Sequence, residues 1–222
     1  AGQPNPDVRL GIVSLEDPET IWAKLNPGSY EYIVRVQWLP GDQKVAVQTL
    51  NRPQTRLSLY FIGHTTGRSD HILTETDSAW IQLHDNLKFY KNNPSFLWTS
   101  ERSDYNHLYR YNLEGHLMNK VTTGDWSLYS SDNVAWISDA VLGIDEEEDW
   151  VYFTSLEKYS IERHLYRIHP DGSDMRRISQ EPGVHIINFS PDMRYYFDEY
   201  SSASHLPLLS LRTSDGETIM EF

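Results

Sequence analysis

Side chains capable of chemistry are plentiful in this chain, so the question is whether any stand at a spacing that chemistry needs. A serine nucleophile at a strand-to-helix elbow requires Gly-x-Ser-x-Gly, which exposes the hydroxyl beside an oxyanion hole; that pattern occurs nowhere in the sequence. Nine histidines invite a metal reading, but His-Glu-x-x-His is absent, and His164 and His169 are spaced for neither one helix face nor one strand face. With no cysteine, thiolate zinc sites and disulfide frameworks are excluded. His107 and His164 each stand directly before Leu-Tyr-Arg. That recurrence reads as a structural device, a hydrogen bond tying adjacent strands. The run Asp145-Glu146-Glu147-Glu148-Asp149 could chelate a hard cation such as calcium or hold an amine. It directly precedes the apolar segment Trp150-Val151-Tyr152, however, and reads as a solvated loop between strands. No cofactor and no metal site is expected.

The elements that carry these residues are short and alternating. Val34 to Leu39, the turn Pro40-Gly41-Asp42-Gln43 and Lys44 to Thr49 form a strand–turn–strand signature. Leu57 to Ile62, Phe96 to Ser100 and Trp150 to Ser155 alternate in the same way. No stretch keeps a helical apolar period for three turns; Pro18 to Leu25 is the best helical candidate, and a short one.

A repeat organises the strands. Leu59-Tyr60-Phe61-Ile62 leads to Gly67, Leu108-Tyr109-Arg110-Tyr111 to Gly115, Leu165-Tyr166-Arg167-Ile168 to Gly172, and Leu208-Leu209-Ser210-Leu211 to Gly216. A second short strand follows the turn, as at Asp70 to Thr74, Met118 to Thr122 and Asp174 to Ser179. Polar lead-ins at Thr99 to Asp104, Thr154 to Lys158 and Asp198 to Ser202 precede three of these strands. The spacing is near the roughly 40–50 residues of a four-stranded propeller blade. The fold class predicted is therefore all-β: a partial β-propeller of about four antiparallel four-stranded blades, counting incomplete ends. A β-sandwich would account for the strands but not for the recurrence. Trp98, Trp126, Trp136, Trp150, Tyr152, Tyr166, Tyr195 and Tyr196 are expected to pack between blades.

Aromatic residues make up 13% of the 222 residues, which suits half-buried sheet surfaces. The formal net charge of −13 repels a phosphate backbone, so nucleic acid is not an expected partner. No apolar run is long enough to span a membrane. The start, Ala1 to Pro6, has neither an initiator Met nor a signal-peptide pattern and reads as a chain opened in mid-sequence.

Three segments, in order and at fitting spacings, resemble the propeller of the dipeptidyl peptidase IV family, within the prolyl oligopeptidase clan. They are Ala1-Gly2-Gln3-Pro4-Asn5-Pro6-Asp7-Val8-Arg9-Leu10, Trp80-Ile81-Gln82-Leu83-His84-Asp85-Asn86-Leu87, and Ser100-Glu101-Arg102 through Asn106-His107-Leu108-Tyr109-Arg110-Tyr111 to Thr122-Thr123-Gly124-Asp125-Trp126. The second resembles a strand of bacterial members. The resemblance implies that residues 1–222 are the C-terminal half of an eight-bladed N-terminal propeller. The amine-binding glutamates of the parent would lie before Ala1, and its Ser-Asp-His hydrolase domain after Phe222. The parent would be a serine-type aminopeptidase releasing Xaa-Pro or Xaa-Ala dipeptides; the chain itself would gate and orient the peptide without catalysing its cleavage.

Expected partners are a peptide with penultimate Pro or Ala, the parent's hydrolase domain and a second copy in a homodimer. A periplasmic or exported location follows from the resemblance alone. The substrate-proximal residues it implies are Trp80, His84 and Asp85, although Leu83, His84 and Asp85 replace the aromatic and Arg contacts of some members. A stand-alone protein-interaction propeller and a sugar-binding or glycosidase-like propeller are the rival readings.

Overall fold

Strands with one apolar face must bury that face against a second layer, and the sequence supplies this pattern from end to end. The computed structural model of the chain describes residues 5–16, 18–26, 28–129 and 139–222. Among the described residues there is no helix. Four antiparallel four-stranded sheets follow one another along the chain, each formed by consecutive strands, with a two-stranded ribbon before them. The fold is thus a partial β-propeller of four blades. None of the four is incomplete. The chain divides into two compact units, Ala1–Gln82 and Leu83–Phe222.

The first unit holds β1 (Gly11–Val13) paired with β2 (Thr20–Trp22), then the sheet β3 (Tyr32–Trp38), β4 (Lys44–Leu50), β5 (Arg56–Gly63) and β6 (Ser69–Thr76). The helix expected over Pro18 to Leu25 is instead β2 and its exit. So short a segment does not sustain a helix alone, and here Ile21 pairs with Ile12 while Leu25 packs with Val45, Val47 and Ile62. The β3–β4 hairpin forms at the expected turn, where Gly41 and Asp42 take φ of 85° and 55°. At the β5–β6 turn Gly67 has φ +64°, and a Cβ there would lie 2.1 Å from the Trp22 carbonyl oxygen. Only glycine fits both demands. The same residue accepts a 2.7 Å hydrogen bond from the Lys24 amide. Gly67 therefore ties this blade to the ribbon before it.

The second unit holds three sheets. They are β7 (Lys88–Phe89), β8 (Ser95–Ser103), β9 (Tyr105–Asn112), β10 (Leu117–Lys120); β11 (Val141–Asp145), β12 (Trp150–Ser155), β13 (His164–Ile168), β14 (Arg176–Arg177); and β15 (Val184–Phe189), β16 (Tyr195–Ser202), β17 (His205–Thr213), β18 (Thr218–Glu221). Two apolar layers join them. Leu97, Leu108, Val121, Val141, Val151, Phe153 and Tyr166 pack between the first and second of these sheets. Trp150, Tyr152, Leu165, Ile187, Met193 and Tyr196 pack between the second and third. Each fully buried large side chain contributes roughly 1.5–3 kcal/mol.

Trp98, Tyr152, Tyr166 and Tyr196 are completely buried, as expected of aromatics in this role, and Trp126 stacks on Phe153 at 6.2 Å. Tyr195 departs from the expectation and is 45% exposed. Strand alternation explains it: with Tyr196 facing inward, its neighbour must face outward. Trp136 lies outside the described residues, as do Ala1 to Pro4.

Candidate functional site

The segment from Trp80 to Leu87 is not a strand; regular pairing begins only at Lys88. Its two ends belong to different units. In the first unit, the Asp77 carboxylate accepts the amides of Ala79 and Trp80 at 2.7 and 3.1 Å, which bends the chain. The Ile81 amide donates to the Gln54 carbonyl at 2.8 Å. These bonds fix the backbone while the Trp80 side chain stays 65% exposed.

In the second unit, His84 is buried, its ring edge-on to Trp98 with centroids 4.7 Å apart. Asp85 is half-buried. Asn86, two residues on from His84, is completely buried. Its amide nitrogen donates to Thr99 Oγ1 at 3.0 Å, and its oxygen accepts the Ala140 and Val141 amides at 2.7 and 3.0 Å. Asn86 thus staples the sheet containing β8 to the start of β11. A single polar residue in a polar segment carries no sequence signal for such a role.

The repeated histidines do tie strands together. His107 Nδ1 lies 3.0 Å from Thr122 Oγ1, which also accepts the Leu108 amide at 2.9 Å, and His107 Nε2 lies 2.9 Å from the Gly124 carbonyl. A carbonyl only accepts, so Nε2 carries the proton and Nδ1 accepts from the threonine hydroxyl. His164 repeats the bracket with Ser179 Oγ at 2.9 Å from Nδ1, the Leu165 amide at 3.0 Å from that oxygen, and Glu162 Oε2 at 2.8 Å from Nε2. Burial lowers the pKa of both imidazoles, and hydrogen bonding to Gly124 or Glu162 only partly opposes it.

Ser179, His164 and Glu162 have the distances of a nucleophilic triad. The serine is completely buried and already accepts a backbone amide, and the matching bracket at His107 uses threonine and a carbonyl. The trio holds strands and cannot meet a substrate. The equal spacing of Thr122 and Ser179 after their histidines is the sequence signal that would have identified the partners.

The acidic run forms the β11–β12 turn, where the Asp145 carboxylate accepts the Glu147 and Glu148 amides at 3.0 and 3.1 Å. Its placement between strands agrees with the sequence reading, but Glu146 is more than solvated. Its two oxygens accept the Lys91 and Asn92 amides at 2.5 and 2.9 Å, capping the β7–β8 turn of the neighbouring sheet. Asp198 was expected in a polar lead-in; it lies inside β16 and is completely buried. Among the described residues no group of three or more His, Asp or Glu side chains is arranged to hold a metal ion.

Four antiparallel blades with their histidines and carboxylates engaged between strands define a propeller domain. Over residues 1–207 the sequence matches the family described as the dipeptidyl peptidase IV (DPP IV) N-terminal region, and the chain belongs to that family. It is 27% identical over 98% of its length to a probable dipeptidyl-aminopeptidase B of Emericella nidulans, and 26% identical over 99% to one of Aspergillus oryzae. It spans about a quarter of the length of each, 25% in both cases. A crystal structure of Porphyromonas gingivalis dipeptidyl peptidase 4 superimposes with a TM-score of 0.86 and 26% identity, over 100% of this chain and 30% of that one.

Proposed function

We propose that the chain is the second half of the propeller domain of a serine-type dipeptidyl peptidase, where it gates access and orients the peptide while another domain breaks the bond. The observation that carries this reading is the family match over residues 1–207 in a sequence without a Gly-x-Ser-x-Gly elbow. Peptide amino termini suit a domain of net charge −13. By the same reading the parent releases Xaa-Pro or Xaa-Ala dipeptides, docks its hydrolase domain on this one, works in the periplasm or as an exported protein, and pairs with a second copy. Among the described residues no helix is long and apolar enough to cross a membrane.

Trp80, His84 and Asp85 are the proposed substrate-proximal residues. Trp80 is the contact residue because its indole is exposed on a backbone that is already fixed. His84 and Asp85 lie in the second unit, where the His84 ring packs edge-on to Trp98. In the longer enzyme, Trp80→Ala is expected to raise KM for a peptide several-fold with kcat little changed, the pattern of lost uniform binding. An unchanged KM in steady-state assays on an Xaa-Pro peptide would remove Trp80 from the site.

A further inference from the structure

Each sheet of the second unit is a meander, so the connection between its second and third strands lies at one end and its other two turns at the opposite end. Backbone bonds bring the three ends of the first kind together. The Leu128 amide donates to the Asn106 carbonyl at 2.8 Å, beside the β8–β9 turn, and Leu128 bridges Ser155 where β12 stops. The Arg163 amide, just before β13, donates to the Gly183 carbonyl at 2.9 Å. A Cβ on Gly183 would lie 2.4 Å from the Ser201 carbonyl oxygen, next to the β16–β17 turn.

The two ends differ in chemistry. At the opposite end the turns 146–149, 170–174 and 214–217 contain only Glu, Asp, Ser, Gly and Pro. Covering those carboxylates would strip their water at a cost. At the tied end Ile161 is 80% exposed and Leu206 88%, with Tyr129 and Tyr159 exposed as well. Single apolar residues are ordinary on a surface, whereas a group of them marks a contact. These four stand on connections bonded to one another, and the described turns of the opposite end contain no exposed large apolar side chain. The β12–β13 connection is also set in place, because the Glu162 amide donates to the Tyr159 carbonyl at 3.1 Å and the Tyr166 hydroxyl to Glu157 Oε2 at 2.8 Å. The Arg163 guanidinium lies over the Tyr129 ring, 4.8 Å from its centroid. Tyrosine and arginine are enriched where proteins meet.

Other parts of the fold converge on the same end. Asn86 bonds to Thr99 and Lys88 pairs with Leu97, so the segment carrying His84 and Asp85 enters β7 from there. β18 runs antiparallel to β17, and the Phe222 amide reaches the Leu209 carbonyl at 2.9 Å, so β18 points to that end too. The Emericella nidulans relative is far longer, this chain spanning 25% of it.

Resting on the function proposed above, we propose that this end, with Tyr159, Ile161 and Leu206 as its anchors, is the surface on which the bond-breaking domain of the longer protein docks. Chain continued from β18 then reaches that domain directly, and a peptide near His84 and Asp85 lies between the two.

Photo-crosslinking in the longer protein tests this. A p-benzoylphenylalanine is introduced in place of Ile161, of Leu206 or, as the control, of Asp171 in an opposite turn. Irradiation of the first two should give intramolecular adducts that peptide mass spectrometry maps to residues after Phe222, and the control should give none there. A cross-linked dimer in place of those adducts would assign the surface to a second copy and overturn the proposal. No adduct from either position, or an equal one from the control, would overturn it as well. Dipeptide release from an Xaa-Pro substrate by the unsubstituted longer protein separates the two claims. Release without the adducts removes the docking surface alone, and no release removes the reading on which it rests.

Discussion

At the scale of single residues, polar side chains in this chain are spent on joining strands and sheets. Asn86 is the clearest case, because its oxygen satisfies the Ala140 and Val141 amides at the start of β11 and its nitrogen a third group. Asn86→Ala leaves those buried donors unpaired and is expected to cost about 2–4 kcal/mol, read as a lower urea midpoint with unchanged slope. A smaller loss would show that water reaches the β11 amides.

The histidine brackets add a dependence on acid. His107 and His164 have folded pKa values lowered chiefly by burial. Below about pH 6.5 the unfolded chain takes up protons that the folded one refuses. Their contribution is therefore whole above that value and is lost as the pH falls. The melting temperature should drop on going from neutral to mildly acidic buffer, and the double variant His107→Gln/His164→Gln should flatten that slope; an unchanged slope would remove both histidines as its source. The sequence made these histidines legible because they repeat in register. Asn86, Asp198 and Glu146 were not legible, since a polar residue stapling two sheets looks in sequence like one facing water.

At the scale of elements, the glycine turns showed where blades lie because turn chemistry is local: a positive φ after a strand is visible in the sequence. What the Gly67 turn touches is not local. With its Cβ position 2.1 Å from the Trp22 carbonyl oxygen and φ at +64°, Gly67→Ala should lose about 1–3 kcal/mol, the scale of one strained residue forced on a packed backbone. Chemical denaturation measures this, and a loss near zero would mean that the β1–β2 ribbon shifts freely. The second strand of the ribbon, β2, was missed for a related reason. Apolar spacing over Pro18 to Leu25 suits a helix or a strand equally, and pairing with β1 decides between them. The Trp80 to Leu87 segment resembles a strand of bacterial family members, but here the Asp77 turn bends its start and no residue of the segment enters a ladder.

At the scale of the whole molecule, the four-blade repeat was readable because each blade is one short-range pattern, whereas the facing of each sheet depends on neighbours. The outer face of the β15–β18 sheet shows the consequence. Phe197, Leu209, Met220 and Phe222 are exposed there, with the rings of Phe197 and Phe222 6.1 Å apart. Open apolar faces associate, so the chain on its own is expected to self-associate with rising concentration in light scattering, and Phe197→Glu/Met220→Glu to weaken this. A monomer at every concentration would argue against it. The central claim is that this propeller segment serves a peptidase without carrying its chemistry. The most direct measurement compares dipeptide release from a chromogenic Xaa-Pro substrate by the chain alone and by the longer protein read through its coding sequence past Phe222. The account predicts release by the longer protein and none by the chain. Release by the chain alone, or a longer protein without activity, would contradict it.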